Sequence, residues 1–117
     1  MNNQDTLSIL NSIKKLLGMP SEYTAFDADI IIHINTIFAN LAQMGVCPNE
    51  HGFQITDNST TWSEFTNDDM LINNVKTYIY LKVRLIFDPP ANSVLVESIN
   101  NNIRELEVRL YTQKGGY

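Results

Sequence analysis

Apolar residues recur at spacings of three and four in four separate stretches of the chain, the pattern of helices that bury one face. From Asp5 to Leu17 the stripe is Ile9, Leu10, Ile13, Leu16 and Leu17, with Asp5 placed to cap the start and Gly18 to end it. This predicts a short amphipathic first helix. Met19-Pro20-Ser21-Glu22 interrupts it, since proline lacks a backbone donor and pushes its predecessor out of helical geometry. A second helix is expected from Asp27 to Met44, on a stripe of Ile30, Ile31, Ile34, Ile37, Phe38, Leu41 and Met44, with Gly45 as its left-handed stop. Stepping about 100° per residue puts Ile32 nearly opposite that stripe, beside Asn35, Ala39 and Gln43. Ile32 is therefore either a contact for a partner or one isolated surface isoleucine.

From Val46 to Thr61 the chain turns to Pro, Asn, Gly, Asp, Ser and Thr, with Phe53 and Ile55 alternating against Gln54 and Thr56. That text reads as a long loop or a small hairpin. Loops of this length are uncommon in compact domains unless they function, so Phe53, Ile55, Asp57 and Trp62 are candidate docking residues. The bland alternative is an excursion pinned by Phe53 and Trp62. Thr61-Trp62-Ser63-Glu64 has the spacing of a capping box, predicting one helical turn over Trp62 to Phe65. A third helix, capped by Asn67 or Asp68, should run to about Phe87. Its apolar residues, Leu71, Ile72, Val75, Tyr78, Ile79, Leu81, Val83, Leu85 and Ile86, cover more than half its circumference. Such a helix must be central to the domain or partly closed by a neighbouring subunit. Asp88-Pro89-Pro90 stops it, and a fourth helix follows from Ser93 to about Tyr111 on Leu95, Ile99, Ile103, Leu106 and Leu110. Residues from Thr112 to Tyr117 are expected to be a mobile tail unless an assembly orders them. The fold class is all-α: a single four-helix domain over residues 1–117, with one long loop between helices two and three.

Composition narrows the function. An apolar share of 44% with 18% charged residues suits a folded globular chain. Thirteen acidic against eight basic residues give a net charge of -5, and no basic run is present, which argues against tight nucleic-acid binding by one subunit. Cys47 is the sole cysteine, so no internal disulfide forms. The opening residues lack the basic-then-apolar pattern of a secretory leader, and no apolar run has the ~20 residues of a membrane span, so synthesis in the cytoplasm and no membrane are expected.

The sequence carries few residues arranged for chemistry. No nucleophile elbow, phosphate-cradling glycine loop or paired-histidine motif is present, so neither an enzyme nor a cofactor is expected. Cys47 and His51, with Glu50, are too few for a structural zinc site, and Cys47 reads better as a small buried side chain at the end of helix two. Asp57-Asn58-Ser59 lacks the glycine and terminal glutamate of a calcium loop. A helix-turn-helix reader is excluded by the long turn from Gly18 to Thr24 and by Asp27 and Asp29, which phosphates would repel. An active site shared between subunits would need Asp27, Asp29 or His33 to meet across an interface. Lys82, inside the apolar arc of helix three, either extends its ammonium to water or pairs with a carboxylate.

The text from Tyr78 to Pro90 (YIYLKVRLIFDPP), with Tyr23-Thr24-Ala25-Phe26-Asp27, Asp29-Ile30-Ile31, Thr61-Trp62-Ser63 and the run from Ile103 to Leu110, resembles the small head-tail connector proteins of siphophages and their prophages. The resemblance spans nearly the whole chain and departs at Val108, where such sequences carry tryptophan. It implies a virion protein of the head-tail junction, made in the host bacterial cytoplasm. Its subunits would form a ring, commonly twelve-fold, beneath the portal protein and above the next connector or tail-completion protein. DNA would pass through that ring without sequence recognition. Within such a ring Ile32, Tyr78, Lys82 and Arg84 are candidate subunit contacts, with core packing an equal alternative for Tyr78, and the loop from Val46 to Thr61 is the candidate lumen or docking element. A rival reading is a cytoplasmic helical adaptor or regulator that binds one protein partner through the same apolar surplus.

Overall fold

Each helix starts and stops where local chemistry supplies partners for its free backbone groups. The structure, a computed structural model, describes residues 7–47 and 52–113. Within them lie α1 (Ile9–Leu16), α2 (Asp27–Gln43), α3 (Trp62–Phe65), α4 (Asp69–Phe87) and α5 (Ser93–Gln113). The architecture is all-helical. Among the described residues there is no strand, only an isolated antiparallel bridge between Ser8 and Thr61, so the long loop forms no hairpin there.

The expected cap Asp5 lies outside the described residues, and Ser8 occupies the N-cap of α1, its Oγ accepting from the Asn11 N–H at 3.2 Å. Gly18 (φ +85°) and Gly45 (φ +80°) follow the ends of α1 and α2 in the left-handed region that glycine enters without steric cost. At both, two reversed bonds close the helix: Gly18 N–H to Lys15 and Met19 N–H to Lys14, then Gly45 N–H to Ala42 and Val46 N–H to Leu41. Asp68 caps α4, its Oδ1 accepting from the Met70 and Leu71 N–H groups at 3.0 and 3.2 Å.

α1 departs from its expected character. Instead of one buried stripe, the consecutive residues Ile9 to Lys14 are all buried, while Leu16 of the predicted stripe is exposed. The reason is tertiary: α1 is enclosed by α2, by α4 and by the segment entering α3, whose Thr60 carbonyl accepts from the Ile9 N–H at 3.0 Å.

α4 is the central element, packed against α1, α2 and α5, which explains an apolar arc wider than one face. It buries Val75, Tyr78, Ile79, Leu81 and Val83, but leaves Ile86 exposed at its last turn. α5 returns antiparallel along α4 and buries Ile99, Ile103, Leu106 and Leu110, each worth roughly 1.5–3 kcal/mol when fully removed from water. Leu95 of the same stripe is exposed. The Tyr78–Glu107 bond sets a register in which the first turn of α5 overhangs the end of α4, so Leu95 has no helix to pack on. α5 extends through Thr112 to Gln113, so the segment expected to be a tail begins as helix, and its remainder lies outside the described residues.

Candidate interaction surfaces

The loop after α2 is held to the bundle by side-chain chemistry. Asn35 acts as a two-point clamp: its Oδ1 accepts from the Ile55 N–H at 2.8 Å and its Nδ2 donates to the Ile55 carbonyl at 2.9 Å. Ile55 thereby enters the core, and Phe53 packs edge-on against Phe38 and Phe65 with ring centroids 5.1 and 5.3 Å apart. Trp62 is buried as well. Its Nε1–H donates to Ser12 Oγ at 2.9 Å, that hydroxyl donates on to the Ile9 carbonyl, and Lys76 stands 5.7 Å over the indole. Thr61 N–H donates to the Glu64 carboxylate at 2.9 Å, which starts α3 at the predicted place.

Of the four loop candidates, Ile55 and Trp62 are therefore core residues and Phe53 is half-buried, while Asp57 is exposed. Asp57 Oδ1 accepts from the Ser59 hydroxyl at 2.5 Å and the Ser59 N–H at 2.8 Å. Those two bonds, the hydroxyl's first, hold its carboxyl below the ordinary aspartate range. Beside the clamp lies an open groove of about 500 Å³ lined by Asn35, Ala39, Ala42, Gly52, Phe53 and Gln54.

On α4, Tyr78 is buried and its hydroxyl donates to Glu107 of α5 at 2.9 Å. Burial first, then the hydrogen bond and charge of Glu107, push its phenol above the ordinary tyrosine range. Lys82 is half-buried with Nζ 5.3 Å over the Tyr78 ring, and Arg84 is half-buried with Nη1 3.4 Å from the Tyr80 hydroxyl. Tyr78 thus faces the neighbouring helix of its own chain; Lys82 and Arg84 retain access to solvent. Ile32 is 61% exposed on the outer side of α2.

One charged residue absent from the sequence-based candidates is fully buried. Lys14 Nζ lies 2.8 Å from Asp27 Oδ1 and donates to the Ser21 carbonyl at 3.0 Å, fastening the turn between α1 and α2. Asp27 is thereby committed inside the fold. The signal was present in Lys14 sitting one residue from the Ile13 position of the stripe, but periodicity alone assigns a lysine there to solvent. Glu50 and His51 lie outside the described residues, among which no cluster of three potential metal ligands occurs. Among the described residues no helix is long and apolar enough to cross a membrane.

The exposed large apolar residues include Leu16, Tyr23, Phe26 and Ile86 near the end of α4 and Val108 and Tyr111 in the last turns of α5, with Leu7, Ile32, Met70, Val94 and Leu95 elsewhere on the surface. Compared with known proteins, the chain is matched over residues 9–117 by the family model described as phage connector protein. No curated protein and no solved structure matches it.

Proposed function

Since the chain belongs to the phage connector protein family, we propose that it is a structural, non-enzymatic subunit of the junction between phage head and tail. Its copies form a ring between the portal and the next tail component, and DNA passes through the channel. The observation that carries this is the family match over residues 9–117, because it covers all five helices from α1 to α5.

The surface chemistry supports a ring. Closed rings are built from heterologous contacts that use two different faces of one subunit, and this chain exposes large apolar residues on more than one helix, Ile32 on α2 and Val108 and Tyr111 on α5 among them. The net charge of -5 suits a channel wall to which DNA must not adhere, since like charges repel. Ile32, Lys82 and Arg84 are available for subunit contacts, and the exposed Asp57 turn for docking on the portal or the next component; Tyr78 serves through its core position.

Light scattering after size exclusion, on the chain alone and mixed with the portal protein encoded beside its gene, tests this reading. The expected result is a ring-sized species or co-elution with the portal. A monomer or dimer indifferent to an intact portal would sink it, and would favour the adaptor.

A further inference from the structure

Three asparagines of this chain are followed by serine, Asn11, Asn58 and Asn92, and none by glycine. In such a pair the backbone nitrogen of the serine can attack the carboxamide that precedes it, an intramolecular ring closure that needs a small following residue and a backbone free to turn. The sequence ranks the three pairs alike. The fold separates them.

Asn11 is buried within α1, where the Ser12 nitrogen donates to the Ser8 carbonyl at 3.0 Å. Asn92 stands just before α5: its Oδ1 accepts from the Val94 N–H at 2.7 Å and its carbonyl from the Val96 N–H at 3.1 Å. In both pairs hydrogen bonds fix the attacking nitrogen or the carboxamide in helical geometry, and ring closure must first break them.

Asn58 is exposed in the turn that follows the clamped Ile55, and its carboxamide bonds to none of the described residues. The nitrogen beside it already faces a base. Ser59 N–H donates to Asp57 Oδ1 at 2.8 Å, within the hydrogen-bond reach required of a group that takes a proton. The Ser59 hydroxyl donates to the same oxygen and holds the carboxylate in place.

We propose that Asn58 is a site of spontaneous deamidation, with Asp57 as the base. The Ser59 nitrogen forms a bond to Asn58 Cγ while its proton passes to Asp57 Oδ1. The Cγ–Nδ2 bond then breaks, and the amide nitrogen leaves as ammonia, carrying that proton. Water opens the resulting succinimide at either of its carbonyls, which leaves aspartate or isoaspartate at position 58. Both products add a negative charge to the turn that carries the exposed docking candidate Asp57. Isoaspartate also adds an atom to the backbone between Ile55, fixed by Asn35, and Thr60, whose carbonyl is bonded to Ile9, so the distortion falls on the turn between them.

The test incubates the full chain in warm neutral buffer, folded and in urea. Peptide mapping by mass spectrometry follows the amide-to-acid mass increase at each asparagine, and labelling with an isoaspartyl methyltransferase reports isoaspartate. In the folded chain Asn58 should convert roughly tenfold faster than Asn11 or Asn92, the factor set by the hydrogen bonds that those two must first open. In urea the three should convert at similar rates. Asp57→Ala, at an exposed position and with circular dichroism confirming the helices, should slow conversion at Asn58 in the fold. Conversion of Asn11 or Asn92 ahead of Asn58, or none at Asn58, overturns the site. A rate at Asn58 that Asp57→Ala leaves equal or raises overturns the role of Asp57.

Discussion

Lys14 is the residue on which local stability turns most sharply. A buried ammonium is tolerable when a carboxylate and a carbonyl surround it, and Asp27 and Ser21 supply both. Lys14→Ala should cost about 3 kcal/mol, at the lower end for a broken buried pair because Asp27 is partly solvated and screened. Lys14→Met, which keeps the packing, should cost less than Lys14→Ala, and urea unfolding midpoints would show the order. Tyr78 carries a pH signature. Its phenol titrates higher in the fold than in the unfolded chain, so its contribution is fully present below about pH 10, the unfolded tyrosine value, and is lost as pH rises towards the folded one. Alkaline difference spectroscopy should find at least one of the five tyrosines silent until the chain unfolds. In Tyr78→Phe that silent tyrosine should disappear, with a stability loss of about 1–2 kcal/mol from the vacated Glu107 partner. An unchanged titration curve would show that another tyrosine is the protected one.

At the scale of elements, the loop behaves as a strap fastened at three places: Asn35 on Ile55, the phenylalanine cluster on Phe53, and Trp62 on Ser12. Asn35 imitates a β-ladder neighbour by offering one donor and one acceptor to a single residue, which lets an extended segment lie on a helix without a second strand. Asn35→Ala should cost about 1–2 kcal/mol for the two bonds and speed amide exchange at Ile55, while exchange within α4 stays slow. Uniform acceleration across the chain would mean that the strap is part of the global unfolding unit. Trp62 is the only tryptophan, and its burial predicts blue-shifted emission that moves red in step with unfolding.

For the whole molecule, a net charge of -5 on every copy makes assembly depend on salt, because like-charged subunits repel. Raising ionic strength from about 0.01 to 1 M, which shortens the screening length from about 30 to 3 Å, should screen that repulsion and strengthen the ring. Sedimentation velocity at several salt concentrations would read this, and assembly weakened by salt would point instead to ion pairs across the contact.

Helix existence, type and ends were legible in the sequence because they are set locally: the apolar period, Gly18 and Gly45 as left-handed stops, Asp68 as a cap and Pro89-Pro90 as a break each act within a few residues. The width of the apolar arc on α4 likewise announced a central helix. The exposed Ile32 followed from its angle on the wheel, whereas the exposure of Tyr23, Phe26 and Val108 did not, because it is decided only when the helices pack. Burial of Lys14 and Ile55 was hidden for the same reason, and that of Trp62 was offered only as the alternative of a pinned loop: each is decided by a partner 13 to 50 positions away, Asp27, Asn35 and Ser12 respectively. Sequence periodicity states which face of a helix avoids water; only tertiary packing decides how many other elements arrive to cover it, and which surfaces are left for another subunit.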